Sequence, residues 1–107
     1  MFSHDRKALL LLSSLLRERM GDDIESIFAF GSRVRGDNDD RSDFDVLIVV
    51  KDRNPAKEAA IIDTIVDFEM ERGLSLTPLL KDAASFTLER EHNAPFYQNI
   101  TREGVRL

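Results

Sequence analysis

The sequence predicts a small mixed α/β fold with about three or four strands. Three observations carry that expectation. Two long stretches place apolar residues at helical spacing, two short runs are almost wholly apolar, and glycine or Asn-Pro punctuates the boundaries between them.

Residues 3–20 read as a helix. Leu9, Leu12, Leu16 and Met20 recur at helical spacing, and Leu11 and Leu15 widen the stripe. Ser3 is the expected N-cap, Arg17 and Arg19 fall in the last turn, and Gly21 follows as a helix-ending residue. The width of the stripe leaves an outer face that a second copy or a partner chain could cover. Residues 24–30 read as a strand that Gly31 breaks, and 31–42 form a polar, turn-rich stretch. Residues 43–50 read as a second strand; its last five residues are continuously apolar, as in a strand buried on both faces.

Asn54-Pro55 opens a second helix with favourable N-terminal chemistry, and Gly73 closes it. Ile61, Ile62, Ile65, Val66 and Phe68 form its expected buried stripe. Residues 74–80 read as a third strand, placed at an edge or ending at Pro78, because proline cannot donate to a ladder. Residues 85–104 read as one or two short helices broken near 93–95, with Phe86, Phe96, Tyr97 and Ile100 as core contacts.

The bulk numbers narrow the function. A chain of 107 residues fits one domain spanning 1–107. Its net charge of −5 argues against broad binding to a nucleic-acid backbone. The absence of cysteine excludes disulfides, thiolate metal sites and a cysteine nucleophile, and suits a reducing cytoplasm. No apolar run approaches the roughly 20 residues of a membrane span, and the leucine-rich N-terminal stretch lacks the pattern of a secretory signal. His4 and His92 are too few for a histidine-rich zinc site.

The chemistry concentrates in 31–45. Asp43 and Asp45 are two apart on a predicted strand, so they share a face, about 7 Å apart along it. Two such carboxylates repel unless a cation lies between them, and oxygen donors of this kind suit Mg²⁺. Gly31 ends an apolar strand and lets a phosphate approach the backbone; Ser32 offers a hydroxyl and an N–H. Arg33 and Arg35 could reach phosphates or pair with the acids of the turn, and Asp37, Asp39 and Asp40 are most simply polar loop residues. Gly31 and Gly36 have P-loop spacing, but Asp37-Asn38 stands where Lys-Ser/Thr is required. A calcium loop fails as well, because Arg41, Ser42 and Ile48 occupy its ligand and turn positions.

Gly31-Ser32, ten intervening residues, and then Asp43-x-Asp45 closing into an apolar strand resemble the signature of the DNA polymerase beta-type nucleotidyltransferase superfamily. The chain most resembles its minimal nucleotidyltransferases, small single domains often encoded beside a HEPN-domain partner in toxin–antitoxin pairs. The resemblance implies a polymerase beta palm-like fold. It implies that Asp43 and Asp45 are catalytic ligands of two Mg²⁺ ions, and that Gly31, Ser32 and Arg33 hold a nucleoside triphosphate, ATP foremost. A nucleoside monophosphate would pass to a hydroxyl acceptor, for which a HEPN-type partner protein is the candidate. The family's third carboxylate aligns near Ser75, and serine replaces it poorly; Asp67, Glu69, Glu71 and Asp82 are close only in sequence. A different class of reading is therefore kept: a nucleotide-binding or docking module that acts as antitoxin or regulator by binding a partner.

Overall fold

The apolar periodicities condense into two helical layers with a sheet between them. A computed structural model of the chain describes residues 3–31 and 43–107. Helix α1 (Ser3–Met20) leads through a 3₁₀ turn (Gly21–Asp23) into β1 (Ile24–Phe30). Then come β2 (Phe44–Val50), α2 (Pro55–Arg72), β3 (Leu76–Asp82), α3 (Ala83–Glu91), α4 (Pro95–Glu103) and β4 (Val105–Arg106). The strand order is β3-β2-β1-β4; β1 runs antiparallel to β2 and β4, and β2 runs parallel to β3. The architecture is the mixed α/β one that the sequence predicts.

β2 is the centre of the molecule. Val46, Ile48 and Val50 turn toward α1 and α2, Leu47 and Val49 toward α3 and α4, and all five are fully buried. On the first face they meet Leu9, Leu12 and Leu16 of α1 and Ile61, Ile65 and Phe68 of α2. On the second they meet Phe86 and Ile100, with Phe28, Phe30, Phe96 and Tyr97 packed around them. Burying each such side chain is worth about 1.5–3 kcal/mol, so this double layer is the main source of stability.

Local chemistry sets the helix ends. The Asn54 side chain accepts a hydrogen bond from the Lys57 N–H at 2.9 Å, and Pro55 occupies the first helical turn of α2. Gly73 closes that helix in the left-handed conformation, its N–H donating to the Glu69 carbonyl at 2.8 Å. Asp82 caps α3 through the Ala84 N–H at 3.0 Å. α1 begins at Ser3, whose side chain, expected as the cap, lies outside the described residues.

Several expectations need correction. Ile62 and Val66 are not in the buried stripe of α2; they are 37% and 43% exposed, and Thr64 is buried instead. Positions 61, 64, 65 and 68 form one face, and 62 and 66 lie roughly 100° around the helix from 61 and 65. Leu11 is 47% exposed for the same reason, whereas Leu15 does pack on the core. The third strand covers Leu76–Asp82 rather than 74–80, and Pro78 lies within it. β3 is an edge strand, so the missing proline donor faces away from β2 and the ladder continues past it. β4 was not foreseen: Val105 and Arg106 add to the other edge by pairing with Ala29 and Phe28. Among the described residues no helix is long and apolar enough to cross a membrane.

Candidate active site

Three strands converge at one end of the sheet. Phe44, the first residue of β2, is fully buried in the α1–α2 core, and its N–H donates to the Ser75 carbonyl at 3.0 Å. That anchor sends the flanking Asp43 and Asp45 to the opposite face. Asp45 stands opposite Phe30 in β1 and Thr77 in β3. The two carboxylates thus lie where the end of β1 meets the starts of β2 and β3.

Their environments differ. Asp43 is exposed, and its Oδ2 accepts a hydrogen bond from the Thr77 hydroxyl at 3.0 Å. Hydrogen bonds from Ser75, and then Thr77, hold its carboxyl below the ordinary value. Asp45 is half-buried. Burial, and then the charge of Asp43, pushes its carboxyl above the ordinary value. The inner carboxylate is therefore the harder of the two to charge, and a cation beside the pair would relieve both the burial and the repulsion.

Gly31 closes the site from the β1 side. Its φ is +90°, and a Cβ there would lie 2.1 Å from Asp45 Oδ2. Two requirements meet at this residue: a backbone conformation that side chains disfavour, and a carboxylate pressed against its Cα. Beyond Gly31 a cavity of about 240 Å³ opens, lined by Phe30, Phe96, Asn99 and Glu103. Phe96 meets Phe30 edge-on at 6.2 Å, and the Lys81 ammonium lies 4.4 Å from the centre of the Phe96 ring.

The candidate residues from the sequence thus divide in two. Gly31, Asp43 and Asp45 come together, and Ser75 joins them through its bond to Asp43. Ser32, Arg33 and Arg35, together with Asp37, Asp39 and Asp40, lie outside the described residues. Thr77 was missed. The one signal for it was its alternation with Ser75, which becomes informative only once the parallel register is known. Three of the four nearby acids are committed elsewhere. Glu69 accepts the Leu76 N–H at 3.0 Å, Asp82 accepts the Arg53 N–H at 2.9 Å, and Asp67 lies 3.5 Å from Arg19. Among the described residues no cluster of three or more metal-ligating side chains exists. Ser75, near which the sequence resemblance aligns a third acid, and Thr77 each bring a hydroxyl to Asp43.

The family model described as "Polymerase beta, Nucleotidyltransferase" matches residues 12–107. The chain is 29% identical over 76 residues to the "putative protein adenylyltransferase" of Methanocaldococcus jannaschii, a match covering 68% of this chain and 52% of that protein. It therefore spans about half the length of that curated relative. A solved structure of a "putative nucleotidyltransferase" from Sulfolobus solfataricus superimposes with a TM-score of 0.58 at 22% identity, covering 94% of this chain and 76% of that one. A mutant of the toxin–antitoxin pair MntA–HpeT superimposes with a TM-score of 0.56 at 16% identity, covering 91% and 69%. At these identities the two structures speak to the fold.

Proposed function

The chain belongs to the polymerase beta nucleotidyltransferase family, and from that premise we propose that it transfers AMP from ATP to a hydroxyl acceptor with the help of Mg²⁺. The observation that carries this reading is the seat of Asp45: a half-buried carboxylate pressed on Gly31, two residues from a second carboxylate on the same face. Such a pair is costly without a cation, and Mg²⁺ commonly takes one or two carboxylates and fills its remaining positions with water and substrate phosphates. The two-acid donor set fits that demand.

Asp43 and Asp45 would hold the metal, which in this family's chemistry supplies positive charge to the triphosphate as pyrophosphate departs. Gly31 would give the phosphates access to the backbone, and Ser32 and Arg33 would add donors to their oxygens. Ser75 and Thr77 orient Asp43 through its carboxylate. In the transfer, the acceptor hydroxyl would give up its proton to solvent water, its oxygen would bond to the α-phosphorus as the bond from that phosphorus to the bridging oxygen breaks, and pyrophosphate would leave. The nucleotidyltransferase unit is taken as one domain over 1–107, acting in the cytoplasm. The acceptor is taken to be a hydroxyl of a HEPN-type toxin, for which the chain would be the antitoxin. The likeness to a toxin–antitoxin component and to a protein adenylyltransferase supports that choice. Exposed Leu10 and Leu11 on α1, with Ile62, Val66 and Met70 on α2, offer apolar surface for a partner or a second copy.

A second reading rests on Ser75 and Thr77. Hydroxyls cannot replace the charge of a third carboxylate, so the chain could bind ATP, turn it over weakly, and act by docking. Calorimetric titration of ATP, with and without Mg²⁺, tests the site directly. Metal-dependent binding that is lost in Asp43→Asn/Asp45→Asn is the expected result, and no binding with metal present refutes the assignment. Asp45→Asn then separates the readings: an enzyme loses both turnover and biological effect, and a docking module keeps its partner affinity and effect.

A further inference from the structure

A second cavity, of about 350 Å³, lies on the same sheet face as the aspartates but at the far end of β1, between that strand and helices α3 and α4. We propose that it binds a small anion carrying a flat aromatic group, with the anionic end at Arg90 and Arg106 and the ring against Phe28, Phe86 and Tyr97. Its size falls within the range of about 300–1,000 Å³ typical of small-molecule sites.

The first support is Ser26. On this face the neighbouring positions Phe28, Leu47 and Val49 are apolar. A register shift between Ile24 and Ser26 leaves Ile24 in the α1–α2 core and turns Ser26 to the other side. Bulges of this kind re-aim side chains beside functional sites. Ser26 is only 4% exposed and lines the cavity, yet its hydroxyl makes no hydrogen bond to any described residue. Among the described residues Glu89 Oε2 alone is a sealed side-chain oxygen without a partner, so the Ser26 oxygen opens into the cavity, where it can donate to an occupant.

The second support is charge. Arg90 and Arg106 both line the cavity, and neither has an ion pair among the described residues. In a chain with 20 acidic residues and net charge −5, two arginines left unpaired at one opening are a local reversal of sign. Glu25 is the one acid lining the cavity among the described residues, so the arginines outnumber it. The third support is the wall. Phe86 meets Tyr97 at 5.4 Å and Phe28 at 6.0 Å, and Arg106 lies 5.9 Å from the Phe28 ring centre. Aromatic faces flanked by guanidinium groups accept a flat ring and a negative charge together. None of these groups belongs to the Asp43–Asp45 site, so the inference does not depend on the triphosphate reading.

The test is an amide-resolved NMR titration of the full chain in EDTA with AMP, and with adenosine and inorganic phosphate as its two halves. The expected result is saturable shifts at Ser26, Thr87 and Tyr97, with AMP bound more tightly than either half. Arg90→Gln/Arg106→Gln weakens AMP by about tenfold or more, and Asp43→Asn/Asp45→Asn leaves it unchanged. Both arginines are exposed, so the double variant should keep its dispersed spectrum. Ser26→Ala provides a second, nearly isosteric probe and should weaken binding to a smaller extent. No saturable shift, shifts confined to the surroundings of Gly31 and Asp45, or equal affinity in the arginine variant overturns the proposal.

Discussion

The two aspartates are chemically unequal, and pH exposes the difference. Asp45 has a raised pKa because burial, and then Asp43, disfavours its charge. The folded chain therefore holds that proton more tightly than the unfolded chain. Stability falls as pH rises from the ordinary carboxylate range through the raised value, and the penalty is fully present at neutral pH. Asp43 has the opposite sign: its hydrogen bonds contribute stability above the ordinary value, lost as pH falls through the lowered one. Asp45→Asn should accordingly raise Tm at pH 7, and by less near pH 4, while removing metal-dependent ATP binding. Differential scanning calorimetry at the two pH values checks this, and an unchanged or lower Tm at pH 7 contradicts it. Gly31→Ala should do the reverse. A Cβ 2.1 Å from Asp45 Oδ2 requires the carboxylate to swing away, and φ +90° strains any side chain there, so stability should drop by about 1–3 kcal/mol. Urea unfolding together with ATP titration would show both losses, and an alanine variant with native stability would mean that the close approach is relieved at little cost.

Helix α2 shows how one element divides between local and tertiary control. Its start and stop follow from Asn54-Pro55 and Gly73 alone, and Asn54→Ala should cost about 1 kcal/mol through the lost cap to Lys57. Its buried face does not follow from apolar residues alone, since five of them span more of the helix than the sheet covers. Ile65, 2% exposed, should cost about 2–5 kcal/mol when changed to alanine, whereas Ile62, 37% exposed, should stay within about 0.5–1 kcal/mol. Equal costs at the two positions, measured by denaturant unfolding, would mean that both are buried in solution, as at a second interface. Edge strand β3 teaches the same lesson. Its pairing with β2 starts at Leu76, where Glu69 receives the backbone N–H, and runs to Asp82 past Pro78.

At the scale of the whole molecule, a sheet covered on both faces leaves its chemistry at an end, where strand termini meet. That placement lets β2 be apolar throughout its buried length and still carry two acids at its entrance. The charge of −5 adds a constraint on partners: the chain should show no measurable affinity for random duplex DNA at near-physiological salt. A fluorescence anisotropy titration checks this, and binding that weakens steeply with salt would contradict it. MgATP, by contrast, should raise Tm with concentration, as any ligand selective for the folded state does.

The sequence by itself determined the parts governed by local periodicity and local chemistry. The helical state of α1 and α2, the ends of α2 at Asn54 and Gly73, the doubly buried β2, and the pairing of Asp43 with Asp45 on one face all follow from spacing within a single segment, whereas which of the apolar residues of α2 are buried does not. Tertiary structure decided what depends on contacts between segments. The antiparallel register sets Phe30 opposite Asp45 and brings Gly31 against the carboxylate; the parallel register sets Thr77 beside Asp45 and so adds a second hydroxyl to Asp43. β4, only two residues long, exists because β1 offers it an edge. The physical reason is that a side chain's direction is a local property of the backbone, whereas its neighbours are fixed by which strands pair and in which register.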